Sequence, residues 1–174
     1  MYGLIKRRNL NVKTDEPVMI TVSIGDQKLI LDRPGKQQVT FQVSTALNGA
    51  GERQDSGCTP RGLHRISEKI GLGAPVGSVF VGREPTGEVL DTDLQSKHPE
   101  RDWILSRILW LEGLEPGVNS GLGCDSKARY IYIHGTPDTE PMGVPASHGC
   151  IRMTNDDVIE LFESVEEGQL VLIR

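Results

Sequence analysis

The sequence lacks a long hydrophobic run, a paired-cysteine pattern and an excess of basic charge. No apolar stretch in its 174 residues approaches the ~18 residues that a membrane-spanning helix requires. Its three cysteines, Cys58, Cys124 and Cys150, are an odd number without a C-x-x-C pair, which is a poor basis for a disulfide framework. The net charge of −5 argues against nucleic acid as a partner. These absences favour a reducing compartment and a partner that is neither membrane nor nucleic acid.

The N-terminal stretch also lacks the pattern of a secretion signal. Its basic cluster, Lys6, Arg7 and Arg8, is not followed by an apolar segment of 7–15 residues. We therefore interpret residues 1–16 as an N-terminal extension and expect a cytoplasmic protein. A periplasmic location is the alternative if Met1 is not the natural start. Nothing in the sequence predicts the oligomeric state.

Aromatic residues are scarce, at 5%, whereas glycine is frequent, with 20 residues. Frequent glycine indicates many turns, and therefore strands rather than long helices. β-branched and alternating segments predict seven strands, at residues 18–24, 27–32, 37–45, 63–70, 78–84, 128–135 and 168–174. Apolar spacing predicts a helix over 101–114, and Thr154 is placed to cap a second, short helix. We expect one mostly β domain over 1–174, a sandwich or barrel with peripheral helices.

The segment PASHGCIRM (145–153) places a histidine, a glycine and a cysteine in a row. A cysteine nucleophile needs a base, because a free thiol of ordinary pKa is only a few per cent thiolate at pH 7. A glycine beside it lets main-chain N–H groups converge on a developing oxyanion. His148 is one candidate base. His134 is the other, since it ends a predicted strand and the carbonyl of Gly135 could orient its ring.

Other interpretations of these residues stay open on chemistry alone. Cys150 could be a buried structural thiol, and His134 a strand-end histidine satisfied by hydrogen bonds. A zinc site built from Cys124, His134, His148 and Cys150 is the third option, although the C-x₂₋₄-C spacing of structural zinc sites is absent. We expect neither a metal nor a cofactor.

The stretch IHGTPDTEPMGVPASHGCIRM (133–153) resembles the signature of the L,D-transpeptidase catalytic domain, the YkuD-type family. In that signature a histidine-glycine pair at a strand end precedes a Ser/Thr-His-Gly-Cys block, an apolar residue and Arg or Asn. The stretches ITVSIGDQKLIL and VSTALNGAGERQDSGCTPRGLHRI, with a Thr-Pro-x-Gly turn at 59–62, are similar to the family's N-terminal half. The resemblance covers about residues 17–174 and implies the family's β fold.

The resemblance implies a role for each matching residue. Cys150 matches the nucleophile, His134 its base and Gly135 the orienting carbonyl. His148 and Gly149 match the segment on the oxyanion side. Two further matches, expected to contact the substrate, are Ser147 for the family's Ser/Thr and Arg152 for its Arg or Asn. Arg152 could hold a substrate carboxylate or steady the loop.

Two features depart from the typical domain. Only twelve residues separate His134 from Ser147, which is at or below the short end of the family's range. The segment 83–127 is long, and we expect it to form a lid over the site. Cys58 and Cys124 match no functional position and are interpreted as structural or loop thiols, and His64 and His98 as packing or surface residues.

The family chemistry acts on the stem peptides of peptidoglycan, so a muropeptide or stem peptide is the expected partner. Cys150 would form a thioester and expel the terminal D-residue. If water resolves the thioester, the protein is an L,D-carboxypeptidase that trims tetrapeptides during murein recycling, which a cytoplasmic location favours. If an amine resolves it, the protein is an L,D-transpeptidase that forms 3→3 cross-links or exchanges D-amino acids. A non-catalytic module that binds wall peptides is the minor alternative.

Overall fold

The alternating segments form strands close to the expected places. The computed structural model describes residues 18–174, so the basic cluster and the rest of the 1–16 extension lie outside the described residues. The described chain is mostly strand. Its ten strands and two helices are β1 Met19–Ser23, β2 Lys28–Asp32, β3 Val39–Gln42, β4 Gly62–Ile70, β5 Ser78–Val81, β6 Glu84–Val89, α1 Thr92–Lys97, β7 Ile104–Gly113, β8 Tyr132–Gly135, β9 Ile151–Met153, α2 Asn155–Ser164 and β10 Leu170–Ile173.

One curled sheet carries all ten strands. Its main path runs β3-β2-β1-β10-β4-β7-β5-β6, and β8 branches from β7 to pair with β9. The β1–β10 and β8–β9 pairs are parallel, and the other pairs are antiparallel. The expected mostly β architecture with helices at its edges is therefore confirmed.

The helix predicted over 101–114 is wrong, because this segment contains the long strand β7. Its residues pair with β4 and β5 and also with β8, so the strand lies inside the sheet. A strand buried on both faces has a nearly continuous apolar sequence, which does not alternate and can imitate one side of a helix. Most of β7 is buried, including Leu105, Ile108 and Leu109. The middle of the expected lid segment 83–127 is thus a central strand.

The second helix, α2, begins where its cap predicts. The Thr154 side chain accepts a hydrogen bond of 3.2 Å from the main-chain N–H of Asp157, and acidic residues occupy the first turn. Its apolar side packs into the main core, which is formed by strands from both ends of the chain. Burial of Val158, Leu161 and Phe162 therefore holds the helix against the strands that carry the site.

Within residues 18–174, no helix is both long enough and apolar enough to cross a membrane.

Candidate active site

The parallel pair β8–β9 brings together the two parts of the sequence motif. Ile133 lies opposite Ile151, and His134 lies opposite Arg152. Cys150 directly precedes β9, so the same register places it beside Tyr132. Because side chains alternate between the faces of a strand, Tyr132 and His134 share one face with Cys150 and Arg152. All four line a single cavity of about 460 Å³.

The sulfur of Cys150 is held by main-chain groups. Its Sγ donates to the carbonyl oxygen of Tyr130 at 3.3 Å and accepts from the N–H of Tyr132 at 3.3 Å. Desolvation raises the pKa of the Cys150 thiol to about 12, although the N–H of Tyr132 acts in the opposite direction. The resting cysteine is therefore a protonated thiol. It retains intermediate exposure on the cavity wall, so it is not sealed in apolar packing.

The ring of His134 is buried and fixed through one nitrogen. Its Nδ1 lies 2.7 Å from the carbonyl oxygen of Gly135, which can only accept, so Nδ1 carries the proton. Burial lowers the pKa of His134, although this hydrogen bond and the charge of Asp102 oppose the effect. The ring is therefore neutral at pH 7, with the lone pair on Nε2. Among residues 18–174, no hydrogen bond joins either His134 or His148 to Cys150 Sγ.

Gly135 is required at its position because the chain is crowded there. A Cβ at this residue would lie 2.6 Å from the carbonyl oxygen of Leu105 and 2.8 Å from Oδ1 of Asn155. The same Asn155 oxygen accepts from the hydroxyl of Ser106 at 2.6 Å. The amide of Asn155 donates to the carbonyl of Thr136 at 3.0 Å. These contacts tie the end of β8 to β7 and to the start of α2.

Unlike the buried His134, His148 has an exposed side chain that contacts Asp102. Its side chain is 77% exposed, and its Nδ1 lies 3.2 Å from Oδ2 of Asp102. The other oxygen of Asp102 accepts from Arg152 at 2.7 Å. Burial alone would raise the pKa of Asp102, but Arg152 and His148 together lower it. Asp102 is therefore a carboxylate that links the cysteine loop to the segment preceding β7.

The guanidinium group of Arg152 is held by several contacts within the protein. Besides Asp102, its guanidinium reaches Oε2 of Glu140 at 3.4 Å and the carbonyl of Ala146 at 3.4 Å. The side chain is only 8% exposed. Of the two expected roles, these contacts match the one that steadies the loop. Its Nε has no hydrogen-bond partner among the described residues 18–174.

The loop before Cys150 is shaped by two hydroxyl groups. Ser147 Oγ donates to the carbonyl of Cys150 at 2.5 Å and accepts from the N–H of Gly149 at 3.3 Å. Thr59, from the Thr-Pro-x-Gly turn, donates to the carbonyl of Gly149 at 2.9 Å. Gly149 has a φ of +135°, a conformation that side chains disfavour. Ser147 thus acts on the loop itself, while the N–H of Cys150 donates to no other residue of 18–174.

The zinc alternative is not supported by the placement of its four residues. Cys124 lies on the loop after β7, where its Sγ contacts the carbonyls of Ser120 and Gly121. No group of three or more His, Cys, Asp or Glu side chains within 18–174 is arranged to hold a metal ion. The three cysteines are free thiols.

Comparison with known families identifies the domain. The model of the L,D-transpeptidase catalytic domain (YkuD) matches residues 17–173. The chain belongs to the L,D-transpeptidase catalytic-domain family. A candidate L,D-transpeptidase of Bacillus subtilis strain 168, YqjB, is 46% identical over 69 residues, which cover 36% of this chain and 39% of YqjB.

Solved structures share the fold of this chain at low sequence identity. An L,D-transpeptidase from Enterococcus faecium has a TM-score of 0.54 at 16% identity, covering 91% of this chain and 50% of its own. An L,D-transpeptidase from Mycobacterium smegmatis has a TM-score of 0.52 at 17% identity, and the match covers 90% of this chain and 58% of its own. L,D-transpeptidase 3 of Mycobacterium tuberculosis, in complex with a faropenem-derived adduct, has a TM-score of 0.51 at 16% identity, and the match covers 90% of this chain and 60% of its own. This chain thus spans about half to three fifths of each structure.

Several residues of the cavity carry no signal in the sequence. Asp102 falls in the segment interpreted as a helix, and Arg83 and Arg129 are isolated basic residues in loops. Asp102 and Arg83 reach the cavity because β7 and its partner β5 lie close to β8, whereas Arg129 lies just before β8 in the chain. Two histidines outside the motif differ from each other. His64 is buried and bonds Ser126 Oγ at 2.8 Å, whereas His98 is exposed at the end of α1.

Proposed function

We propose that this protein is a cysteine-dependent acyltransferase of peptidoglycan stem peptides that acts as an L,D-carboxypeptidase. It would cleave the bond before the terminal D-alanine and convert tetrapeptides to tripeptides in cytoplasmic murein recycling. The observation that carries the proposal is the shared cavity of Cys150 and His134, with the His134 ring held in one tautomer by Gly135. Family membership supports the enzymatic class and the substrate class.

In the acylation step, Cys150 Sγ attacks the carbonyl carbon of the third residue of the stem. The thiol proton passes to Nε2 of His134, which is free because Nδ1 is bonded to Gly135. The carbonyl oxygen becomes an oxyanion that can accept from the main-chain N–H of Cys150, which donates to no acceptor within residues 18–174. Collapse of the intermediate forms the thioester, and the departing amine of D-alanine takes the proton from His134. Both reacting groups begin neutral, since the thiol pKa is raised and that of His134 is lowered.

In the deacylation step, water replaces D-alanine. His134 removes a proton from the water, the oxygen attacks the thioester carbon, and the C–S bond breaks. The proton then returns to the sulfur, so the cysteine is regenerated. The exposed side of His148 at the cavity rim gives water a route to the thioester.

Transpeptidation is the second candidate, and one feature favours it. A neighbouring groove of about 420 Å³ shares Arg129, Tyr130 and His148 with the main cavity. An acceptor amine lying in that groove would approach the thioester from the side of His148. The same cysteine, histidine and main-chain donors would serve both reactions, so the product decides between them.

The deciding experiment incubates the protein with a disaccharide-tetrapeptide, with and without a stem-peptide amine, and separates the products by chromatography. Free D-alanine and tripeptide as the main products support the carboxypeptidase. Dimer formation or D-amino-acid exchange as the main outcome would instead favour the transpeptidase. Binding without any turnover would leave the wall-peptide binding module.

A further inference from the structure

Four charged side chains that are neither histidine nor cysteine line the main cavity: Arg83, Asp102, Arg129 and Arg152. Asp102 and Arg152 neutralise each other in a salt bridge of 2.7 Å. Arg129 is held by four hydrogen bonds within the protein, because it donates to the carbonyls of Gly51, Glu52 and Cys58 and to the hydroxyl of Ser56. Arg83, like Arg129, makes no salt bridge within residues 18–174, but it differs from both other arginines because it donates a single side-chain hydrogen bond there, to the hydroxyl of Tyr132.

Arg83 is nevertheless held in a defined position. It stands in the two-residue turn between β5 and β6, where Gly82 and Arg83 have φ values of +55° and +72°. Both values lie in the left-handed region, which a type I′ hairpin requires and which is unusual for arginine. Its guanidinium carbon lies 4.4 Å from the Trp110 ring centroid and 4.9 Å from that of Tyr130. Stacking on these rings limits the motion of the guanidinium group.

One residue connects this guanidinium to the reacting sulfur. Arg83 donates to the hydroxyl of Tyr132 at 3.0 Å, and the main-chain N–H of the same tyrosine donates to Cys150 Sγ at 3.3 Å. Within residues 18–174, Arg83 uses one of its five N–H donors in a hydrogen bond. The remaining donors form a planar fork that matches a carboxylate. Lys127 also stacks on Trp110, but it pairs with Glu68 and does not line the cavity.

We infer that Arg83 binds a carboxylate of the substrate and selects stem peptides that carry this charge close to the scissile bond. The inference rests on the proposed function for the identity of the substrate. Two carboxylates of a stem peptide belong to the residues on either side of the scissile bond: the α-carboxylate of the terminal D-residue and the side-chain carboxylate of a third-position diaminopimelate. A substrate with neither would leave the guanidinium in the cavity without an anionic partner.

The test measures peptide binding by calorimetry in a Cys150→Ala background, so that it does not depend on turnover. Three tetrapeptides are compared: one with both carboxylates free, one amidated at the third-residue side chain, and one amidated at the C-terminus. The variants are Arg83→Asn, which tolerates the left-handed backbone, and Arg83→Lys, which retains the charge. Arg65→Gln is the control, since Arg65 is 49% exposed, pairs with Glu112 and lies away from the cavity.

With Arg83 present, we expect one amidation to weaken binding by about 10- to 100-fold, and the peptide affected identifies the carboxylate that is bound. Arg83→Asn should remove this preference, Arg83→Lys should restore part of it, and Arg65→Gln should leave it intact. The inference would be overturned if Arg83→Asn weakened the binding of all three peptides equally or of none of them. It would also be overturned if no peptide bound to the protein that retains Arg83. Charge-selective binding without release of D-alanine by the unmodified enzyme would instead contradict only the proposed function.

Discussion

The two faces of the β8–β9 pair differ completely in what they do. On one face, Ile133, Ile151 and Met153 are fully buried in the main core. On the other, Tyr132, His134, Cys150 and Arg152 line the cavity. The same few residues of main chain hold both sets, so the packing of one face fixes the positions of the other. The chemistry is thus placed by strand alternation, and the predictions below change one face at a time.

The largest effect on the cavity face is expected from Cys150→Ala. Removal of the nucleophile should lower the rate of D-alanine release by about 10⁴-fold or more, because neither of the other two thiols, Cys58 and Cys124, lines the cavity. Product release from a disaccharide-tetrapeptide measures this, and circular dichroism checks that the fold is kept. Turnover that survives the substitution would exclude the cysteine mechanism.

Substitution of the two histidines should lower turnover by different factors, both smaller than the loss in Cys150→Ala. His134→Ala should slow turnover by about 10²- to 10⁴-fold, since it removes the proposed base. His148→Ala should have a much weaker effect, because its exposed ring bonds Asp102 rather than the sulfur. Comparison of kcat/KM for the two variants measures the difference. If only His148→Ala produced the large loss, the assignment of the base would be reversed.

On the core face, Ile133→Ala should act on stability instead of chemistry. This side chain is 0% exposed, and its truncation should lower the free energy of unfolding by about 3 kcal/mol. Leu72→Ala is the matched control, because Leu72 is 84% exposed and should change stability by less than about 0.5 kcal/mol. Urea unfolding measures both. Similar stabilities for the two variants would show that this face contributes little to the fold.

Acidification should lower both stability and activity modestly. Burial lowers the pKa of both His134 and His64, so below a pH of about 6.5 the unfolded chain binds more protons than the folded one. Stability should therefore be greatest above that pH and decline as the pH falls. The kcat/KM should show an acidic limb with an apparent pKa below 6.5, as the base becomes protonated. A limb with an apparent pKa above 7 would contradict a neutral, buried His134.

The sequence indicated residues of the cavity face better than the strand that supports them. Cys150, His134 and Gly135 stand in a short pattern that resembles the family signature, which marks them as candidates, and Cys150 and His134 do line one cavity. The strand β7 was interpreted as a helix, since a doubly buried strand does not alternate. Strand β9 has only three residues and is hidden within the motif, and the exposed β6 contains Pro85. Asp102 and Arg83 become neighbours of the cysteine only through the sheet, which no local pattern encodes.

Acylation of the sulfur by a carbapenem tests the central claim most directly. One structural neighbour was solved in complex with imipenem, which makes this compound a suitable probe. After incubation with imipenem, mass spectrometry of the intact protein and of its peptides should show one covalent adduct, located on Cys150. Its formation should slow strongly in His134→Ala and little in His148→Ala. An unmodified protein after long incubation, or an adduct on Cys58 or Cys124, would contradict an accessible nucleophile activated by the buried histidine.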